Sequence, residues 1–438
     1  MFPSKKSLEL CEKAHSLIPG GAHTYSKGDD QVSSNAPRFL LRGKGSRVWD
    51  LDGNEYVDWG MGLRSVILGH VYPEVVSAVK EAVDLGSNMC RPHPFEVELA
   101  ELMNEVIPSA EMVKFAKNGS DGTTSAVKLA RVHSGREKVA VCKEQPFFSV
   151  DDWFIGSTIM NAGIPKAIRD LTVKFGYNDL DSVKLLFEEN PDEIACIFME
   201  GTTGVPPKNN FLQKAIDIAH EHGALFVMDE VITGFRYGLG GVQAYFDVKP
   251  DLCIFGKAMA NGFSVSAIAG RRDVMELGGI RHDKERVFLL STTHGAELHG
   301  LAAAKAAINV MKEKDVSKKV WETGDKFMSE FNRISAENGM DKFIYMEGYG
   351  CSPIAMFVDE DGAPDFKLKT YVMQELFREG GVMFPGYFAP SFSHTDEDIS
   401  KSVSVFDKAI KKAKEAKADG FEKHIQGDVI KPVFRKYN

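Results

Sequence analysis

The stretch 251-DLCIFGKAMANG-262 sets an apolar run directly against a lysine, Lys257, and follows it with Ala258, Ala260 and Gly262. The run reads as a buried strand whose end is charged. Four further runs have the same strand-like character: 138-KVAVC-142, 194-IACIFME-200, 224-ALFVMDE-230 and 287-VFLLST-292. Helical patterns lie between them, such as 211-FLQKAIDIAHEHG-223, which closes on a glycine. This alternation predicts an α/β fold with a mostly parallel sheet covered on both faces. Ligands of such sheets bind beyond the carboxyl ends of the strands. Asp229, Lys257 and Thr292 each fall at such an end, so the pattern predicts that they converge on one crevice.

Composition narrows the partners. The chain has 438 residues, 43% of them hydrophobic, enough for one large domain and a smaller one. A net charge of -9 argues against nucleic acid or an anionic membrane as the main partner. The densest basic run, 407-DKAIKKAKEAKADG-420, is interleaved with acids and reads as a solvated helix face. The six cysteines form no CxxC pair, and none is read as having a histidine at zinc spacing. Reduced thiols and no metal are expected. No apolar run approaches the roughly 20 residues of a bilayer span, and MFPSKKSLEL lacks a signal-peptide apolar region. A soluble, cytoplasmic protein is expected. The DG turn in 48-VWDLDGNEYVDW-59 predicts an antiparallel hairpin. Residues 1–65 and 325–438 are expected to form a small α+β domain beside a large domain of 66–324.

Three features carry chemistry. A partly desolvated lysine loses some preference for its proton and becomes a nucleophile toward an aldehyde. Taken alone, Lys257 is still better read as a lysine reaching solvent. Asp229, at the end of 225-LFVMD-229, is a buried carboxylate that needs a partner. A protonated pyridine nitrogen and a structural ion pair or helix cap suit it equally. In 115-FAKNGSDGTTSAVKLAR-131, glycines and hydroxyls directly precede an amphipathic helix, with Gly119 and Ser120 best placed to hold a phosphate.

A phosphate cradle, a carboxylate and a strand-end lysine occur in that order. With 18-IPGGAHTYSK-27, 67-ILGHVYPEV-75, 225-LFVMDEVITGFRYGLGG-241, 250-PDLCIFGKAMANG-262 and 393-SHTDEDI-399, the chain resembles class III, fold type I aminotransferases along nearly its whole length. It is most similar to the branch of glutamate-1-semialdehyde 2,1-aminomutase. The resemblance implies a seven-stranded sheet and pyridoxal 5'-phosphate, cycling with pyridoxamine 5'-phosphate. It also implies a homodimer with shared sites. By the resemblance, Lys257 forms the imine with the cofactor and Asp229 pairs with its ring nitrogen. Gly119 and Ser120 hold the phosphate, and Val231 packs on one ring face. Thr292 reaches the phosphate across the dimer interface, and Glu200 lies near the cofactor.

Departures from the pattern concern the substrate. In 146-PFFSVDDW-153, Phe147 stands where the family has a ring-stacking tyrosine, and Phe148 where it has a histidine. Both also read as ordinary core residues. Lys27 replaces the arginine that holds a carboxylate in the aminomutases. Leu63 replaces a tryptophan, and Arg64 beside it reads equally as a carboxylate ligand and as a structural ion-pair residue. Gly386 falls near the place of an aminomutase glutamate, leaving Tyr387 and Phe388 to line the pocket. His294 is a further substrate-side candidate. The reading is an aminotransferase moving an amino group from an amino acid, glutamate first, to a polar or sugar-like carbonyl acceptor. The alternatives are the intramolecular aminomutase, another reaction type on the same fold, and a cofactor-binding protein without turnover.

Overall fold

The computed structural model describes residues 3–437. The chain divides into two compact units. One runs to Tyr72 and resumes over Lys318–Arg435; the other comprises Pro73–Ser317 with Lys436 and Tyr437.

The second unit is built on seven strands: β1 (Met112–Ala116), β2 (Lys138–Cys142), β3 (Thr172–Phe175), β4 (Ile194–Glu200), β5 (Leu225–Glu230), β6 (Leu252–Phe255) and β7 (Ser266–Gly270). Their order across the sheet is β1-β7-β6-β5-β4-β2-β3. Strand β7 runs antiparallel to both neighbours, while the other pairs are parallel. Every residue of β4, β5 and β6 is buried. Strands covered on both faces favour apolar side chains, which is why these three read as hydrophobic runs up to the acids that end β4 and β5. The register sets Glu200 of β4 beside Asp229 of β5, and Asp229 beside Ile254 of β6.

One expected strand is absent. Residues 287–292 join no ladder and form no regular element. Val287 and Leu289 are buried while Phe288 is 74% exposed, so the alternation is real. It reflects packing into the core cluster beside Leu277, with one backbone bond from Val287 N–H to the Leu277 carbonyl (2.9 Å). Burial of alternate side chains looks the same in sequence whether or not a neighbouring strand is present.

The first unit holds the expected hairpin. Strands Arg47–Asp50 and Glu55–Asp58 pair antiparallel, and Gly53 takes φ +85° in the turn. The Asp50 carboxylate accepts the N–H groups of Asp52 and Asn54 there, at 3.0 and 2.8 Å. Val382–Met383 adds a parallel strand against Val57 and Asp58. In this unit's core Trp59 lies between the rings of Phe327 and His394, with centroids 4.3 and 4.2 Å away. Phe388, expected to line a pocket, is fully buried in that core beside Phe327 and Phe384. Among the described residues, no helix is long and apolar enough to cross a membrane.

Candidate active site

At the carboxyl ends of β4, β5 and β6 the second unit encloses a cavity of about 490 Å³, within the usual range for small-molecule sites. Its walls include Gly119, Ser120, Phe147, Glu200, Asp229, Val231 and Lys257. Seven of the eight cofactor positions expected from the sequence therefore meet in one place.

Asp229 and Glu230 are consecutive buried carboxylates, and strand alternation sends them to opposite faces. Glu230 is turned into protein. It accepts from the Thr233 hydroxyl and from the N–H groups of Val242 (3.0 Å) and Gln243 (2.9 Å). Burial pushes its carboxyl up to about 7 despite those donors. Asp229 faces the cavity, where one oxygen accepts the Val231 N–H at 2.8 Å. Burial pushes Asp229 up to about 6, against the opposing pull of that N–H and of the Lys257 charge. A carboxylate placed so needs a cation to hold it ionised.

Lys257 lies two residues beyond the end of β6 and opens a short 3-10 turn, Lys257–Ala260. Its φ is +42°, in the left-handed region that side chains with a Cβ avoid. Such strain collects where a side chain must be aimed at a site.

The cradle follows from helix-end accounting. The helix Gly119–Ser134 is capped by Asn118, which accepts the Asp121 N–H, while the Asp121 carboxylate accepts the Asn118 N–H. That box leaves the N–H groups of Gly119 and Ser120 for a ligand, at the positive end of the helix dipole. The Ser120 hydroxyl oxygen accepts from Val150 N–H (3.1 Å), leaving its own hydrogen to donate. A Cβ at Gly119 would stand 3.1 Å from a Val231 methyl, so glycine keeps the cradle and that wall in close contact.

Phe147 and Phe148 both line the cavity but differ in burial. Phe147 is 44% exposed, while Phe148 is buried against Phe154 and Phe198. The core reading therefore holds for Phe148 alone. Thr292 and His294 are exposed and are not among the cavity's lining residues; His294 lies 3.4 Å from Glu297. The expected convergence of three strand ends is thus met by Asp229 and Lys257 but not by Thr292.

The remaining candidates belong to the first unit. Lys27 is exposed on a short turn, Tyr25–Lys27. The Arg64 guanidinium lies 4.6 Å over the ring of Tyr387, whose hydroxyl donates to the Gly60 carbonyl (3.3 Å). Met61, Gly62, Leu63 and Arg64 all have positive φ, from 38 to 68°. Three non-glycine residues in a left-handed turn cost roughly 1–2 kcal/mol each.

Some groups were not anticipated. Lys117 lines the cavity beside the cradle and pairs with Glu297. Gln145 exchanges two 2.8 Å hydrogen bonds with the backbone of Glu200, fixing the end of β4. The position of Lys117, two residues before the Gly119-Ser120 pair, is the signal the sequence offers for it. The reading that no cysteine has a histidine partner is corrected at Cys11. His15 stands one helical turn away on Lys5–Leu17, and the ligating atoms of Cys11, His15 and Asp29 lie within 4.8 Å of one another.

The cavity suits the pyridoxal phosphate that the resemblance implies. Two spare N–H groups at a helix end match a phosphate, the buried Asp229 matches a cationic ring nitrogen, and Phe147 and Val231 offer apolar surface for a flat ring.

Comparison with known proteins agrees. Residues 29–410 match the family described as aminotransferase class-III. A glutamate-1-semialdehyde 2,1-aminomutase of Persephonella marina is 30% identical over 91% of this chain and 97% of its own length. One of Syntrophomonas wolfei is 33% identical over 93% and 98%. Among solved structures, the FumI protein of Sphingopyxis sp. MTA144 has a TM-score of 0.86 and 25% identity, covering 95% of this chain and 98% of that one. A beta-phenylalanine aminotransferase from Variovorax paradoxus has a TM-score of 0.82 and 26% identity, covering 94% of each chain.

Proposed function

This chain belongs to the class III aminotransferases, whose cofactor is pyridoxal phosphate, and from that premise we propose that it moves an amino group from an amino-acid donor, glutamate first, to a carbonyl acceptor. Bound pyridoxal phosphate supplies an aldehyde that condenses with amines and a ring that accepts electron density. The protein supplies the rest. Gly119 and Ser120 hold the phosphate through their N–H groups and the Ser120 hydroxyl. Phe147 and Val231 would offer apolar surface to the ring. Asp229 keeps the ring nitrogen protonated. Lys257 would hold the aldehyde through Nζ, and its Nζ, when free, could take up and give back a proton of the donor as general base and acid. The observation that carries this reading is the meeting of a buried carboxylate, a strand-end lysine and a spare helix N-terminus in one cavity.

Thr292 is exposed and outside this cavity's lining, and we read it as serving the phosphate of a second copy in a homodimer. Lys27, Arg64 and Tyr387 are assigned to substrate recognition, with Arg64 and Tyr387 acting together through their stacked contact. They suit an acceptor that is polar, acidic or sugar-like. The acidic composition and six free cysteines support a cytoplasmic location.

The second reading is the aminomutase, favoured by the name shared by relatives at 30% identity and above. Lys27, Leu63 and Gly386 stand against it, because each replaces a residue that the aminomutases place around the substrate. A half-reaction separates the two. Mixing the cofactor-loaded protein with L-glutamate should remove the visible cofactor band and release one 2-oxoglutarate per site, and Lys257→Ala should abolish both. A band that persists with glutamate and alanine, together with 5-aminolevulinate formed from glutamate 1-semialdehyde, would establish the mutase instead.

A further inference from the structure

The first unit carries a cluster that the aminotransferase chemistry does not use. Cys11 and His15 are spaced one turn apart on the helix Lys5–Leu17, so their side chains share one face. Asp29 opens the short turn Asp29–Gln31 and brings its carboxylate against both. His15 Nε2 lies 3.1 Å from one Asp29 oxygen, and the Cys11 thiol donates to the other at 3.4 Å.

We propose that Cys11, His15 and Asp29 form a site for a divalent ion of zinc type, which clips the N-terminal helix to the Asp29–Gln31 turn. The donor set is the first argument. Sulfur, imidazole nitrogen and carboxylate oxygen together suit zinc rather than magnesium or calcium, which take oxygen alone. Thiolate and carboxylate carry two negative charges, which balance the ion. Binding releases the single thiol proton to solvent as the sulfur–metal bond forms.

Geometry is the second argument. Zinc bonds of roughly 2.3 Å to sulfur and 2.0–2.1 Å to nitrogen and oxygen, set tetrahedrally, separate nitrogen from oxygen by about 3.4 Å and sulfur from oxygen by about 3.6 Å. The cluster holds nitrogen and sulfur at 3.1 and 3.4 Å from the two different oxygens of Asp29, and one ligand atom from each of the three residues lies within 4.8 Å of the others, so a small turn of the carboxylate brings a single oxygen to both. With His15 exposed, the fourth position opens to water.

The support around the cluster is the third. Gly21 has φ +69°, and a Cβ there would stand 2.9 Å from His15 Nε2, so the backbone packs directly on the imidazole. The Asp29 turn is held from outside: Arg38 donates to the Asp29 carbonyl (3.4 Å) and the Ser34 carbonyl (2.9 Å), and Asp30 pairs with Arg435 at 2.6 Å. Ligands fixed by neighbours of this kind lose little freedom on binding. Arg38 is the one cation these bonds place beside the cluster, and it is directed to the carbonyl rather than the carboxylate.

The test uses the cofactor-loaded full chain, stripped with a chelator and dialysed against zinc. One zinc per chain is expected in the wild type and in Cys90→Ser, which removes the exposed thiol Cys90 while leaving Cys11. Cys11→Ser and His15→Gln should lose it while retaining the bound-cofactor absorbance, which shows that they fold. Cobalt in place of zinc should give a thiolate charge-transfer difference band that Cys11→Ser lacks. Zinc should raise the melting temperature of the wild type and not of Cys11→Ser. Failure of the wild type to retain zinc overturns the proposal, and so does zinc retained equally by Cys11→Ser, which would be an adventitious ion only.

Discussion

Replacing Asp229 with asparagine should stabilise the cofactor-free protein while disabling the cofactor-loaded one. Burial lifts the Asp229 carboxyl from 3.8 to about 6. That lift corresponds to about 3 kcal/mol against its ionised form. Between those two values the folded chain keeps a proton that the unfolded chain has lost. Stability therefore falls as pH rises through that window, and the full cost is present above about pH 6. Asparagine has no such cost and can still accept the Val231 N–H. Cofactor-free Asp229→Asn should then exceed the wild type by up to about 3 kcal/mol at pH 8, with the gap closing below pH 4. Glu230, lifted in the same direction, is present in both proteins and cancels in the difference. A cationic ring nitrogen beside Asp229 recovers the cost, so the wild type should bind pyridoxal phosphate up to about 100-fold more tightly than the variant. Urea titrations with and without cofactor at pH 5 and pH 8 measure all of these terms. The reasoning is refuted if the variant is the less stable protein at pH 8 without cofactor, or if the cofactor stabilises both equally.

Three further outcomes follow from the same geometry. Gly241→Ala places a Cβ 2.6 Å from the Glu230 carboxylate at φ +72°; the left-handed backbone and the displaced hydrogen bonds should cost about 3 kcal/mol or more in denaturant titrations. Phe148→Ala should cost about 3–5 kcal/mol of stability, whereas Phe147→Ala should leave stability nearly unchanged and weaken cofactor retention by about 1 kcal/mol, measured by dialysis. Lys117→Met should weaken pyridoxal 5'-phosphate several-fold, within about 1 kcal/mol, and leave pyridoxal unaffected; equal losses for both would remove Lys117 from the phosphate site.

What the sequence disclosed was local. Lys257, Asp229 and the Gly119-Ser120 loop each sit at the end of a periodic segment, and the end of an element is where pattern reading is sharpest. Strands β4, β5 and β6 are legible because burial on both faces keeps them apolar until the acids that close β4 and β5. The segment 287–292 was misread because side-chain alternation reports burial and not backbone pairing. Phe388 was assigned to a pocket on its place in a motif, yet packing in the Trp59 core decides its position. Cys11 and His15 stand four residues apart and are legible as a pair; Asp29 is not, because it comes from a separate turn that only the folded chain brings to the helix. The left-handed turn at Met61–Arg64 had a single glycine to signal it, and three residues with side chains follow the same path.

The most direct test of the central claim is to load the protein with pyridoxal phosphate, reduce it with borohydride and map the modified peptide. The account predicts one pyridoxyl group per chain, on Lys257, and none after Lys257→Ala in the same position of the map. A label on Lys117 or another lysine, or no label at all, would contradict it.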